Sequence, residues 1–313
     1  MVQGSSTTLP EIRTAPRRRR VNRDVLNYLF VLPTVLYILV TMVYPIFYNV
    51  RMSFQDVTIS TFLSDNATWA GLDNYRALVD DAAFWHSLRL SVSFTVFSLI
   101  GQLTIGFALA LFFSKPFPGN GILRAFLLVG WMLPTVITGG LFRFILDGDF
   151  GVLNYALQEL NLIDRPHYWL VDPDTALAGT ILANIWVGIP FNMVLLLSGL
   201  QGINRDLYEA ASVDGANAWH RFRSITLPLM MPVALSVVLL GLIYTFKVFD
   251  LIYVMTAGGP VNATTVLPIL AYQQTFEFFR FSTGAATNSV ILLLLLVVAG
   301  FYLWWTRREE AAS

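Results

Sequence analysis

Lys247 and Asp250 stand three residues apart inside a long apolar stretch, where each isolated charge costs about 2.5–3.5 kcal/mol on insertion scales. Each Leu or Val returns only about 0.3–0.6 kcal/mol, so the two would pair with each other or face an aqueous cavity. A milder reading places Asp250 near the outer interface, with Lys247 snorkelling. An ion pair that is structural or gates a path, and direct contact with a transported solute, both fit this spacing. Other chemistry is scarce. The chain has no cysteine and only three histidines, His86, His167 and His220, too scattered for a metal motif. No H-E-x-x-H, G-x-S-x-G or G-x-x-x-x-G-K-[ST] occurs, which leaves no metal site, no nucleophile elbow and no phosphate-cradling loop. No catalytic residues are expected, and ATP and Mg would have to be bound by another subunit.

Only 13% of the 313 residues are charged, against about 25% in soluble proteins, so most of the chain faces lipid or other apolar helices. Six segments reach the roughly 20 residues that a spanning helix needs: 25–48, 88–113, 122–146, 176–200, 228–254 and 286–306. The first is too long for a signal-peptide core and reads as a retained span behind a basic, disordered tail, residues 1–24. Pro33, Pro45, Pro134 and Pro190 are read as tolerated within spans, their freed carbonyls satisfied by neighbours. Residues 25–87 hold the first span and its outer loop, 88–306 the five-span core, and 307–313 a C-terminal tail.

One side of this arrangement collects 13 of the 20 Lys and Arg residues, among them Arg17–Arg20, Arg221, Arg223, Arg307 and Arg308. The positive-inside bias makes that side cytoplasmic, together with both termini and the loop 201–227. Loops 49–87 and 147–175 fall outside and carry acidic and aromatic residues, as solvated connectors or as a docking surface.

Between the fourth and fifth spans, Leu207, Ala211, Asp214, Gly215, Ala218 and Phe222 recur every three or four residues on one helical face. Gly215 costs about 1 kcal/mol within a helix, which favours two short helices turning there. A docked hairpin and an interfacial amphipathic helix both satisfy this pattern.

Glu209-Ala210-Ala211, then Gly215, Ile225 and Leu227-Pro228, with Asp214 and Ala216 beside the glycine, resembles the EAA loop of bacterial binding-protein-dependent ABC importer permeases. Tyr44-Pro45, the stretches 71–75 and 246–250, and Thr256–Pro260 are similar to the carbohydrate branch of that family. The resemblance implies an all-α polytopic membrane protein: the type I ABC importer transmembrane fold with six helices and a cytoplasmic coupling loop, 205–228. Glu209, Ala210, Ala211, Asp214 and Gly215 would be its contact with the ATPase. Implied partners are an ATPase dimer, a second permease subunit, an extracytoplasmic solute-binding protein, membrane lipid and a sugar or polyol, but no nucleic acid. The implied place is the inner membrane.

With a sugar in view, Gln102, Asn184, Trp186, Asn192 and Tyr244 join Lys247 and Asp250 as pathway candidates: amides bind hydroxyls, and aromatic faces cover C–H surfaces. The competing roles are helix–helix glue for the amides and packing for Trp186. Polyamine or phosphate import by the same machine, an ion-coupled secondary transporter and an intramembrane enzyme are the alternatives.

Overall fold

The computed structural model describes residues 23–64 and 66–312. Most of the expected basic tail, residues 1–22, lies outside them, as do Asp65 and Ser313. Residues up to Tyr48 form one unit and those from Asn49 onward a second.

In the first unit, helix α1 (Arg23–Ile38) starts two residues before the expected span and runs through Pro33 into a π-helical turn, Leu39–Val43. Helix α2 (Tyr44–Ser53) follows. Pro45 has no N–H to continue the α-helical ladder. One residue earlier the Tyr44 N–H bonds to Leu39 O, so the register shifts by one beside the proline instead of breaking.

The second unit opens with a small folded cap: strand β1 (Gln55–Asp56), helix α3 (Ile59–Ser64), strand β2 (Thr68–Trp69) and helix α4 (Asp73–Asp80). The strands pair antiparallel, Gln55 with Trp69, and Asn74 Nδ2 donates to the carbonyls of Ser53 and Gln55 at 2.9 Å each. Helix α5 (Ala82–Phe113) begins on an Asp81 cap and spans 32 residues. Helices α6 (Asn120–Met132) and α7 (Thr135–Ile145) meet at 97°. Here the expectation of an unbroken third span fails. Leu133 is extended, as a residue before proline prefers, and Pro134 cannot donate back into α6.

Helix α8 (Val152–Glu159) lies in the next loop, before α9 (Pro173–Gln201). Buried Asn154 organises this loop. Its Nδ2 reaches the carbonyls of Asp147, Gly148 and His167, and its Oδ1 accepts from His167 N and Trp169 Nε1. Backbone N–H groups of Phe150 and Asp149 donate to the Asp147 carboxylate and hold its pKa below the usual value. That contribution is complete above the unfolded carboxylate's pKa and vanishes as pH falls through the depressed folded one. Asn154→Ala is expected to loosen the loop by about 1–3 kcal/mol per unpaired buried group, read as faster proteolysis between 147 and 172 and a shifted Trp169 emission.

Helix α10 (Arg205–Val213) and the short α11 (Ala218–Arg221) form the hairpin expected around Gly215. A second π turn, Phe222–Thr226, leads into α12 (Leu227–Phe246), again with a proline, Pro228, just beyond the shifted bond from Leu227 N–H to Phe222 O. The fifth span then stops at Phe246, eight residues short of expectation, and α13 (Asp250–Thr256) is a separate helix. Leu251, Ile252 and Met255 are buried, and a Cβ at Gly139 would sit 3.2 Å from Val254, so α13 packs closely on α7. Burying that apolar face seats α13 against α7 as a helix separate from α12.

Helix α14 (Leu267–Tyr272), whose first N–H donates to Ser91 Oγ of α5 at 2.7 Å, precedes a third π turn, Gln273–Glu277. Helix α15 (Phe281–Ala312) continues past 306, so the expected C-terminal tail is helical through Ala312. Among the described residues, five helical segments are long and apolar enough to cross a membrane, and the bent α6–α7 pair makes a sixth. Ala110, Phe113, Met193, Leu196, Met230 and Val237 form the apolar core where α5, α9 and α12 meet.

Candidate functional site

Helices α5 and α9 cross closely because glycines remove side chains at the contact. A Cβ at Gly188 would collide with the Gln102 amide, and one at Gly106 would lie 3.0 Å from Asn192 Cβ. Gln102 occupies the space so created. Its Nε2 donates to Asn184 O at 2.9 Å, and its Oε1 accepts from Asn192 Nδ2 at 3.4 Å. Asn192 Nδ2 also donates to Gly188 O at 2.8 Å, one turn back on the same face of α9.

This network leaves two groups over. Asn184 Nδ2 and Asn192 Oδ1 are buried and have no hydrogen-bond partner, although both residues are more than 95% buried. An unpaired buried amide group costs about 1–3 kcal/mol, so such a pair is retained where something else completes it. Both residues line a cavity of ≈ 310 Å³ with Gln102, Trp131, Thr135, Phe191, Tyr244 and Thr245. Trp131 and Phe191 lie with ring centroids 5.7 Å apart, and Phe191 meets Tyr244 edge-on at 6.0 Å. The cavity thus combines amide side chains with an aromatic wall, while the two unpaired amide atoms themselves lie buried. None of its described lining residues carries a charge.

Of the pathway candidates, Gln102, Asn184, Asn192 and Tyr244 come together here, and three do not. Trp186 turns away toward Phe142, 5.7 Å between centroids, and lies against Gly130. Asn184 and Trp186 differ by about 200° around the helix axis, so they cannot share a face. Lys247 and Asp250 form no ion pair: the helix ends between them, which removes the spacing that would have joined them. The Lys247 ammonium instead lies 5.1 Å from the Tyr244 ring centroid, and Asp250 accepts from Thr135 Oγ1 at 3.5 Å. Both therefore touch residues of the cavity wall without lining it. Trp131 and Phe191 were not among the candidates. Their sequence signal was position: Trp131 stands just before the Leu133-Pro134 break and Phe191 directly after Pro190.

The hairpin is the second site. Gly215 has φ +81°, and the flanking bonds, Gly215 N–H to Ser212 O at 3.1 Å and Ala216 N–H to Ala211 O at 2.8 Å, close α10 with a left-handed cap. Asn217 Oδ1 accepts from His220 N and starts α11. Glu209, Ala210, Asp214 and Gly215 are exposed at or near the tip, and Ala211 is half-buried.

A profile of the family described as "Binding-protein-dependent transport system inner membrane component" matches residues 102–310. The trehalose/maltose transport system permease protein MalF of Thermococcus litoralis is 38% identical over 248 residues, covering 79% of this chain and 82% of that protein. The sulfoquinovosyl glycerol transport system permease protein SmoG of Agrobacterium fabrum is 34% identical over 262 residues, 84% of each chain. Among solved structures, a chain of a bacterial ABC transporter involved in import of the polysaccharide alginate superposes with a TM-score of 0.79. It is 24% identical, covers 92% of this chain and 97% of its own, and shares the fold.

Proposed function

The chain belongs to the binding-protein-dependent transport system inner membrane component family, and from that membership we propose that it is the permease subunit of an ATP-driven sugar importer. It forms half of the pathway, with a second permease completing it. A separate ATPase dimer binds ATP and Mg and seats on the hairpin through Glu209, Ala210, Ala211, Asp214 and Gly215. A solute-binding protein delivers the sugar from outside. Both termini and the hairpin face the cytoplasm, as the Lys and Arg distribution requires. Since the chain has no cysteine, Val213→Cys, at a site 88% exposed, would report this: an impermeant maleimide should label it only in inside-out vesicles.

The uncharged cavity carries the substrate reading. The amide side chains of Gln102, Asn184 and Asn192 suit hydroxyl groups, and Trp131, Phe191 and Tyr244 suit the C–H face of a sugar ring. Phosphate and polyamines would enter without a counter-charge, at a desolvation cost of several kcal/mol. The substrates named for the relatives, trehalose and maltose and sulfoquinovosyl glycerol, support the sugar class. Proteoliposomes holding the complete complex and ATP should accumulate a labelled neutral saccharide. Accumulation of phosphate or spermidine instead would overturn the reading.

A further inference from the structure

The hairpin is joined to α12 through the π turn Phe222–Thr226, a compliant place to transmit force. There the ladder shifts register, and Pro228 has no N–H to reinforce it. A push on α10 that travelled only along the chain would be absorbed at that turn.

A second route bypasses it. The Tyr208 hydroxyl on α10 lies 2.9 Å from Thr226 Oγ1, and Thr226, the last residue of the π turn, is 6% exposed. Tyr208 is half-buried and Thr226 buried, so the bond is shielded from water on its Thr226 side. The hairpin end of the strut is braced. Arg221 Nη1 of α11 donates to Ser212 Oγ at 2.6 Å, and Ser212 Oγ donates to Tyr208 O at 2.6 Å. Trp219 stacks on Phe222, and Phe222 meets Phe107 of α5 at 6.1 Å. Gly241, Tyr244 and Thr245 of the cavity wall lie on α12, Tyr244 about 27 Å along the helix from Thr226.

We propose that the Tyr208–Thr226 hydrogen bond is the strut that carries hairpin displacement past the π turn into α12 and so to the cavity wall. Tyr208 and Thr226 are positioning residues. This rests on the reading of the hairpin as the ATPase seat.

The test uses the assembled complex in proteoliposomes with Tyr208→Phe, Thr226→Val, their combination and Thr226→Ser. Uptake should fall about tenfold in each of the first two, the cost of one buried hydrogen bond, with more ATP consumed per sugar imported. The double variant should be no worse than either single, because both remove the same bond. Thr226→Ser should import normally, and the ATPase should copurify with every variant. Three results would overturn the strut: uptake within about twofold of wild type in Tyr208→Phe, additive losses in the double variant, or loss of the ATPase from Tyr208→Phe. Failure of the wild-type chain to retain any ATPase would instead overturn the seat.

Discussion

Gly215→Trp should abolish sugar uptake while the chain still inserts in the membrane, and the ATPase should no longer copurify with it. The expectation separates two costs. Any non-glycine residue at φ +81° is strained, by roughly 1–2 kcal/mol, whatever its size. A Cβ there would meet nothing within 4 Å, so the permease itself has room for a side chain at this point. Gly215→Ala carries the same backbone strain with almost no bulk, and should retain most uptake. The indole would project from an exposed tip and can collide only with something docked on it. Equal activity in the alanine and tryptophan variants would remove the docking assignment from Gly215. Uptake, fractionation of membranes and copurification of the ATPase make the comparison.

The second large effect is expected at Asn192. Asn192→Leu keeps the volume but removes the donor that serves Gly188 O and Gln102 Oε1, together with a buried amide oxygen that has no partner. Each unsatisfied or lost partner is worth about 1–3 kcal/mol, so the maximal uptake rate should fall by about 10- to 100-fold. Maximal rate is the quantity to follow, since the external binding protein governs capture at low sugar. Asn184→Ala removes an amide whose nitrogen has no partner and leaves its backbone carbonyl on Gln102, so its effect should be smaller. A normal maximal rate in Asn192→Leu would mean that the cavity is packing space and the solute passes elsewhere.

Much of this molecule is legible before any coordinates. Hydrophobic run length places the spans, because a helix must be about 20 residues long to cross and the chain has few other reasons to be so apolar. The turn at Gly215 is legible too, because a glycine inside a helical pattern of small residues marks a left-handed cap. Breaks were harder. Pro134 ends its helix while Pro190 sits inside an unbroken one, and the backbone differs: Leu133 and Pro134 both adopt extended conformations, whereas α9 stays helical through Pro190.

Lys247 and Asp250 began as the residues with the most pronounced chemistry, and they ended beside the cavity rather than in it. Their i, i+3 spacing has meaning only on a continuous helix, and α12 stops at Phe246 before α13 starts at Asp250 and buries Leu251, Ile252 and Met255. The Asn184–Trp186 pairing failed for a related reason. Helix α9 carries Thr180, Asn184, Gly188 and Asn192 at steps of four, a stripe that Trp186 cannot join, but the stripe alone does not say what it faces. Only the close approach of α5, permitted by Gly106 and Gly188, selects the Asn184, Gly188 and Asn192 face. Sequence by itself determined the spans and the hairpin, through run length and local backbone preference, and pointed to the class of machine through the resemblance carried by Glu209–Pro228. Tertiary structure alone decided which polar groups converge and which stay unpaired. That depends on helix rotation and crossing, set by packing between residues about ninety positions apart.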